Sequence, residues 1–195
     1  MNQEQVWNSI AESWTNFRQK PKKELYNLNW KKGNLLDVGC GNCKNLLPFK
    51  NLDLYGIDFS SEMLKQAKKF CEKHNLKVAL KKADMRKLPF KDNFFDYILC
   101  LASLHHINKK DADKSLKEIY RVLKKKGQCF ISVWNKLQFR FLFKKKETYI
   151  LWNKYRRYYC LYNPLELKKL LLKNKFKIIK SGKIFDKNIK FLIQK

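Results

Sequence analysis

Short apolar runs that close on an acid, each followed by a turn or a helical pattern, recur along this chain and constrain its fold more than any other feature. Leu35-Leu36-Asp37-Val38 runs into Gly39-Cys40-Gly41, Leu54-Tyr55-Gly56-Ile57 closes on Asp58, and Val78-Ala79-Leu80 leads to Ala83-Asp84-Met85. Between the second and third runs, Met63, Leu64, Ala67, Phe70 and Cys71 share one helical face behind a cap at Ser60 or Ser61. Phe95 to Leu101 reads as another buried strand, and Leu116, Ile119, Tyr120 and Leu123 mark a helix that Gly127 is expected to close. Gln128 to Trp134 is a fifth strand. Such alternation implies a parallel sheet with helices on both faces, and right-handed crossovers bring the C-terminal strand ends to one edge, where ligands bind.

The ends of the chain add to this frame. Val6, Ile10, Trp14 and Phe17 have helical spacing, so an amphipathic helix opens the sequence and stops near Arg18 and Pro21. Asn163-Pro164-Leu165-Glu166 has the residues of a helix start, with Asn as cap, Pro at the first helical position and Glu able to reach back. Phe176 to Lys180 and Ile189 to Ile193 form a terminal antiparallel pair about Gly182. Residues 136–162 break the rhythm; they are basic and aromatic with no clean period, and read as an insertion in a single 1–195 domain.

The segment Asp37-Val38-Gly39-Cys40-Gly41-Asn42-Cys43 has two readings, a thiol pair or a nucleotide-binding bend. A structural metal would need two further ligands at suitable spacing, and the other cysteines stand singly in apolar runs, so no metal site is expected. The glycine reading accounts for more. Gly39 and Gly41 stand between a buried strand and a helix, where absent side chains let a ligand approach the backbone, and Asp58 ends the next strand as a ribose-binding acid would. No third glycine follows, and a third acid, Asp84, joins Asp37 and Asp58, which suits a cationic ligand without phosphate.

Composition sets the outer limits. The formal charge is +27, and of 44 basic residues only six are Arg, the other 38 being Lys. That excess fits either a polyanionic partner or an AT-rich genome, and the count alone does not choose between them. Six cysteines spread through apolar segments read as buried thiols of a reducing compartment. No apolar run approaches the roughly 18 residues of a membrane span, so the sequence is expected to be cytoplasmic, with no membrane partner.

The bend and its three acids resemble the Rossmann-like class I methyltransferases, which bind S-adenosylmethionine on a seven-stranded, mainly parallel sheet that ends in an antiparallel pair. On that likeness the cofactor residues are Asp37, Gly39, Cys40, Gly41, Asp58, Phe59, Asp84, Met85 and Leu101. A narrower resemblance spans Val6 to Phe176, to the tRNA methyltransferases that esterify a carboxymethyl group on the wobble uridine. It is carried by Phe17-Arg18-Gln19-Lys20-Pro21, Leu101 to His106, Trp134, and Arg156-Arg157-Tyr158-Tyr159-Cys160-Leu161-Tyr162. The chain departs from the family's pattern at Cys43, in place of a glycine, and at Cys160, in place of a histidine.

The resemblance implies tRNA as substrate, Arg18, His105 and His106 as catalytic candidates, and Trp134, Arg156, Arg157 and Tyr159 as substrate contacts. It also implies a small zinc-binding activator protein docked along the edge of the third strand, where Lys77, Lys81 and Lys82 flank Val78 and Leu80. Leu101 to His106 alone is shared with methyltransferases of small molecules such as quinone precursors, which is the alternative. Rings and cations interleaved over 136–162 suit single-stranded RNA, or else form a lid with solvated lysines.

Overall fold

The structure is a computed structural model that describes residues 2–141 and 143–195, so the 136–162 segment is described except at position 142. Helix α1 spans Gln3–Phe17, with the Asn2 side chain accepting from the Glu4 amide as its cap. Strands β1 (Asn34–Val38), β2 (Asp53–Asp58) and β3 (Val78–Lys82) alternate with a 3-10 turn at Lys44–Phe49 and with α2 (Ser61–Lys73). Next come β4 (Phe95–Leu101), α3 (Lys109–Val122), β5 (Leu123–Trp134), the pair β6 (Glu147–Trp152) and β7 (Tyr155–Cys160), α4 (Pro164–Lys173), β8 (Lys177–Ser181) and β9 (Asn188–Gln194).

Seven strands form one sheet in the order β3-β2-β1-β4-β5-β9-β8. The first five are parallel, and β9 runs antiparallel to both β5 and β8. This is the expected sheet with its terminal antiparallel pair. Period-2 alternation of β1 sends Leu36 and Val38 into one core with α3 and α4, and Leu35 into a second core with α2 and the 25–52 segment. Two cores on two faces follow from strands that are apolar throughout.

Ser60 caps α2 by accepting from the Met63 amide, and Met63, Ala67, Phe70 and Cys71 are buried, with Leu64 packed partly against the core. The Asn163–Glu166 capping box forms in both directions at the start of α4, an arrangement worth about 1 kcal/mol. In α1 the buried face holds Val6, Trp7, Ile10 and Ala11, while Phe17 at its end is 64% exposed.

Two expectations are corrected. Gly127 does not close α3, because the chain passes straight from Val122 into β5, which begins at Leu123 and not at Gln128. A Cβ at Gly127 would lie 2.9 Å from the Lys124 carbonyl and 3.0 Å from that of Asp96, so close backbone approach requires the glycine. The 136–162 segment has regular structure after all: a 3-10 turn at Phe139–Phe141, and β6 and β7 paired antiparallel about Asn153-Lys154. Its two-residue turn has no glycine, and Asn153 supplies the positive φ of 52°.

Helix α1 is fixed across the top of the sheet by side chains as well as packing. Asn8 Oδ1 accepts from the Ser60 hydroxyl at 2.7 Å, and Gln3 caps the edge of β7 by accepting from the Tyr158 amide at 2.9 Å and donating to the Arg156 carbonyl. Trp7, Ile10 and Ala11 pack with Met63 of α2 and against Trp152 and Tyr155 of the hairpin. Helix and hairpin thus become the roof over the C-terminal ends of β1, β2 and β4.

Candidate active site

Under that roof lies a cavity of about 1310 Å³, reached by both the glycine bend and the hairpin. The bend is built by backbone bonds. The amides of Gly39 and Cys40 both donate to the Ile57 carbonyl at 2.9 Å, and the Gly41 amide donates to Asp58 Oδ2 at 3.0 Å. Gly39, Gly41 and Cys43 all take positive φ, at 72°, 54° and 63°. At Cys43, where the family pattern has glycine, the backbone therefore keeps the left-handed conformation that glycine favours. A Cβ on Gly39 would fall 2.4 Å from Ser103 Oγ, whereas one on Gly41 meets nothing within 4 Å, so Gly41 faces the open space a ligand would fill.

Asp58 lines the cavity and is stapled to the bend, its second oxygen accepting from the Ser60 amide at 3.0 Å. Burial pushes it up to about 6 in spite of the backbone donors. Asp37 does not reach the cavity wall, contrary to the expectation that three acids converge there. It faces the core side of β1, 1% exposed, and burial pushes it up to about 7 against the pull of Lys44. Lys44, just after the bend, lines the cavity and is itself lowered to about 8 by burial.

Asp84 lines the far end of the cavity but is engaged by Arg86, whose guanidinium also reaches Asp111 at 2.9 Å. It sits two residues beyond β3 and makes a turn by accepting from the Arg86 amide at 2.8 Å. Phe59, Met85, Leu101 and Cys40 complete this end. The thiols of Cys40 and Cys43 are buried and free; Cys43 hydrogen-bonds Cys40 and lowers it, but burial prevails and pushes Cys40 up to about 11. Protonated at neutral pH, it has no thiolate with which to act as a nucleophile.

The other half of the cavity is aromatic and cationic. Arg18 lines it with its guanidinium 5.2 Å from the Trp14 ring, and its Nε is buried with no hydrogen-bond partner. Trp134 and Tyr159 stack 4.5 Å apart, and Arg140 covers Trp134 at 4.3 Å, so a base could stack on Trp134 only by displacing one of them. Arg157 stands behind the wall, boxed by Trp7, Trp14, Trp152 and Tyr159 at 5.2–5.9 Å, with Nε and Nη1 unpartnered. Arg156 is exposed and absent from the cavity, because strand alternation sends neighbours to opposite faces. Among the described residues, Arg18, Arg140 and Arg157 form no ion pair.

His105 and His106 both line the cavity. His105 Nδ1 accepts from the Trp134 amide at 2.9 Å, and His106 Nδ1 meets the Tyr158 carbonyl at 2.9 Å. Burial holds His105 well below the ordinary histidine range and His106 down at about 3, with the Arg157 cation adding to both. Both are neutral at pH 7 and poor proton acceptors. Cys160, the other departure from the family pattern, is buried in the core with Tyr162, away from the cavity.

Sequence reasoning passed over Lys44, Ser103, Arg86, Trp7 and Tyr158, all of which line the cavity. Arg86 was accessible through its two-residue spacing from Asp84, which permits a side chain to backbone turn. The others carry no local signal.

The residues fit a cation-bearing nucleoside: open space over Gly41 and acids at Asp58 and Asp84 on the cavity wall. Residues 36–131 match the family described as "Methyltransferase domain". A putative methyltransferase of Encephalitozoon cuniculi is 31% identical over 160 residues, 76% of this chain and 72% of that one. The chain belongs to the S-adenosylmethionine-dependent methyltransferases, and S-adenosylmethionine is its cofactor.

Within that class it is similar to probable tRNA methyltransferase 9B of Mus musculus, 29% identical over 76% of this chain, and to tRNA (carboxymethyluridine(34)-5-O)-methyltransferase of Arabidopsis thaliana, 32% identical over 66% of it. The chain spans about a third of the length of these two relatives, 33% and 31% respectively. A ubiquinone/menaquinone biosynthesis C-methyltransferase of Rickettsia bellii is 35% identical over 60% of this chain and 49% of that one.

Among solved structures, a Methanosarcina mazei S-adenosylmethionine-dependent methyltransferase superposes with a TM-score of 0.76, at 20% identity, over 90% of this chain and 98% of that one. A putative Haloferax volcanii methyltransferase, solved in complex with the Trm112 methyltransferase activator, has a TM-score of 0.71 at 13% identity, over 100% and 98%. No helix among the described residues is long and apolar enough to cross a membrane.

Proposed function

We propose that this methyltransferase esterifies the carboxylate of 5-carboxymethyluridine at the wobble position of tRNA. The observation that carries this reading is Arg18, a guanidinium on the cavity wall with a buried Nε unpartnered and no ion pair among the described residues. A buried guanidinium N–H without a partner is costly unless an acceptor completes it. The Asn42 side chain of the glycine bend donates to the Arg18 backbone carbonyl at 2.9 Å, which ties the main chain at Arg18 to that bend.

When bound, S-adenosylmethionine supplies an electrophilic methyl group, with Asp58, Asp84 and the open face of Gly41 to hold it. A carboxylate is already ionised at pH 7 and attacks without a general base. Neutral histidines of low basicity agree with that chemistry. What the chain must supply is alignment, worth roughly 7 to 11 kcal/mol when the reacting atoms are held near 3 Å. Arg18 holds the acid, and Arg157 behind it adds positive potential.

The tRNA itself would meet the rim, where Phe139 and Phe143 are 90% and 95% exposed beside Lys144 and Lys145. Exposed rings and lysines together suit stacked bases and phosphates. A small zinc-binding activator would dock on β3, the edge of the sheet, whose outer side is unpaired and studded with exposed Lys77, Lys81 and Lys82. A cytoplasmic, single-domain protein with the 136–162 segment as its RNA contact completes the proposal.

Methylation of a small quinone precursor is the second reading, favoured by the Rickettsia bellii relative. One experiment separates them: total tRNA is reacted with labelled S-adenosylmethionine and the activator, then digested, and the labelled nucleoside is identified by mass. A base-labile methyl ester of carboxymethyluridine supports the proposal. Label confined to an organic extract, with none in RNA, refutes it.

A further inference from the structure

We infer that His105 and His106 are locked in opposite tautomers, and together read the N3–H edge of the uracil ring with one donor and one acceptor. The inference rests on the proposed uridine substrate and adds to it the means by which the base is recognised.

The tautomers follow from what each backbone group can do. A peptide N–H only donates, so the Trp134 amide at 2.9 Å makes His105 Nδ1 an acceptor and leaves the ring proton on Nε2. A carbonyl only accepts, so the Tyr158 carbonyl at 2.9 Å requires the proton on His106 Nδ1 and leaves Nε2 with its lone pair. Neither ring is charged at neutral pH, so neither Nε2 can reverse its role by protonation. Neither Nε2 has a hydrogen-bond partner among the described residues, and both rings line the cavity.

Packing holds the rings in place. They meet edge to face at 4.5 Å and 77°, with Trp7 4.7 Å from His106 and Tyr159 within 5.1 Å of both. A donor and an acceptor, from consecutive residues of one 3-10 turn, Leu104–His106, thus line the same cavity.

Uracil answers this pair in either sense, because its N3–H is flanked by a carbonyl oxygen on both sides. His106 accepts from N3–H while His105 donates to the neighbouring oxygen. Cytosine carries its donor on the exocyclic N4, one ring position away, and N3 is an acceptor. With the 5-substituent held at Arg18, cytosine would have to slide by one atom to satisfy the same pair, and the acid would leave its place. The pair therefore makes the enzyme selective for uridine over the matching cytidine.

Two measurements test this. Long-range 1H–15N correlation spectra of this chain, whose sequence has three histidines, should show one ring protonated at Nε2 and one at Nδ1, lost singly on His105→Phe and His106→Phe. Both rings protonated at the same nitrogen overturns the inference. In parallel, anticodon-loop RNAs carrying 5-carboxymethyluridine or 5-carboxymethylcytidine are methylated competitively, with the activator present. Wild type should prefer uridine about ten- to a hundredfold, and His106→Phe should collapse that ratio while its S-adenosylmethionine affinity, the check on folding, is unchanged. Equal methylation of both RNAs by wild type overturns the edge reading and leaves the ester chemistry standing, whereas no ester in either RNA overturns the proposed function itself.

Discussion

The Asn42 side chain donates to the backbone carbonyl of Arg18 at 2.9 Å, tying the cofactor bend to the end of α1 across 24 residues of sequence. Asn42 is 2% exposed, and its Oδ1 faces the Lys44 amide at 3.4 Å. The bond links the half of the cavity built on the glycine bend to the half that is aromatic and cationic.

Asn42→Ala should therefore cost about 1–2 kcal/mol of stability, the usual effect of orphaning a buried partner. If tRNA is the substrate as proposed, its larger effect falls on catalysis: KM for RNA rises more than Kd for S-adenosylmethionine, because the Arg18 backbone loses its anchor while the bend keeps its backbone bonds. Calorimetry of the cofactor set beside steady-state kinetics on tRNA checks this, and equal losses in both would contradict the linkage.

Gly39 and Gly41 should respond differently to alanine. At Gly39 the new Cβ would meet Ser103 Oγ at 2.4 Å, so Gly39→Ala destabilises the fold, and Ser103→Ala in the same chain restores part of the loss. At Gly41 nothing lies within 4 Å, so Gly41→Ala costs only the roughly 1–2 kcal/mol of a left-handed alanine while cofactor affinity falls by more than tenfold. Thermal melts with and without cofactor distinguish the two.

Stability should fall as pH rises between about 4 and 7 through Asp37 and Asp58, whose folded values are raised to about 7 and about 6 by burial. The native state holds their protons in a range where the unfolded chain has released them, so the term is present at low pH and lost as pH climbs through the folded values. A cationic ligand reverses the preference. Binding S-adenosylmethionine near pH 6.5 should release a fraction of a proton from Asp58, measured by calorimetry in buffers of different ionisation enthalpy, and Asp58→Asn should reduce that release.

Arg18→Gln should lower kcat/KM on tRNA by about ten- to a hundredfold, the worth of one charge-assisted hydrogen bond to an anion. Cofactor affinity should change little, since Arg18 lines the aromatic half of the cavity beside Trp14 and not the glycine bend. Arg157→Met gives the complementary result: an unpaired guanidinium replaced by a chain of similar reach among four rings leaves the melting temperature unchanged or raised. If Arg157→Met unfolds the hairpin instead, the cation serves the fold and not the field around the acceptor.

Much of the frame was legible from short windows. The strand before Gly39 and the acid closing β2 declared themselves by apolar run and spacing, and Asn163 with Glu166 by the chemistry of capping. The hairpin β6–β7 stayed hidden because its exposed face carries Tyr149 and Leu151, so polarity does not alternate, and because Asn153-Lys154 lacks the glycine that advertises a tight turn. Asp37 was legible as an acid at a strand end, yet its direction was not. A strand places successive side chains on opposite faces, and which face carries the ligand depends on what packs there.

The sequence by itself determined that an acid, two glycines and another acid stand in the register of a nucleoside-binding bend, since backbone conformation and strand period are properties of neighbouring residues. Only the tertiary structure decided that Arg157 is boxed among rings while Arg156 faces solvent, and that adjacent histidines present opposite nitrogens. Those outcomes come from Trp7, Trp134 and Tyr158, positions 29 to 99 residues from the histidine each one meets, and no local rule brings such segments together. Their meeting is set by which apolar faces α1, β5 and β7 bury against one another.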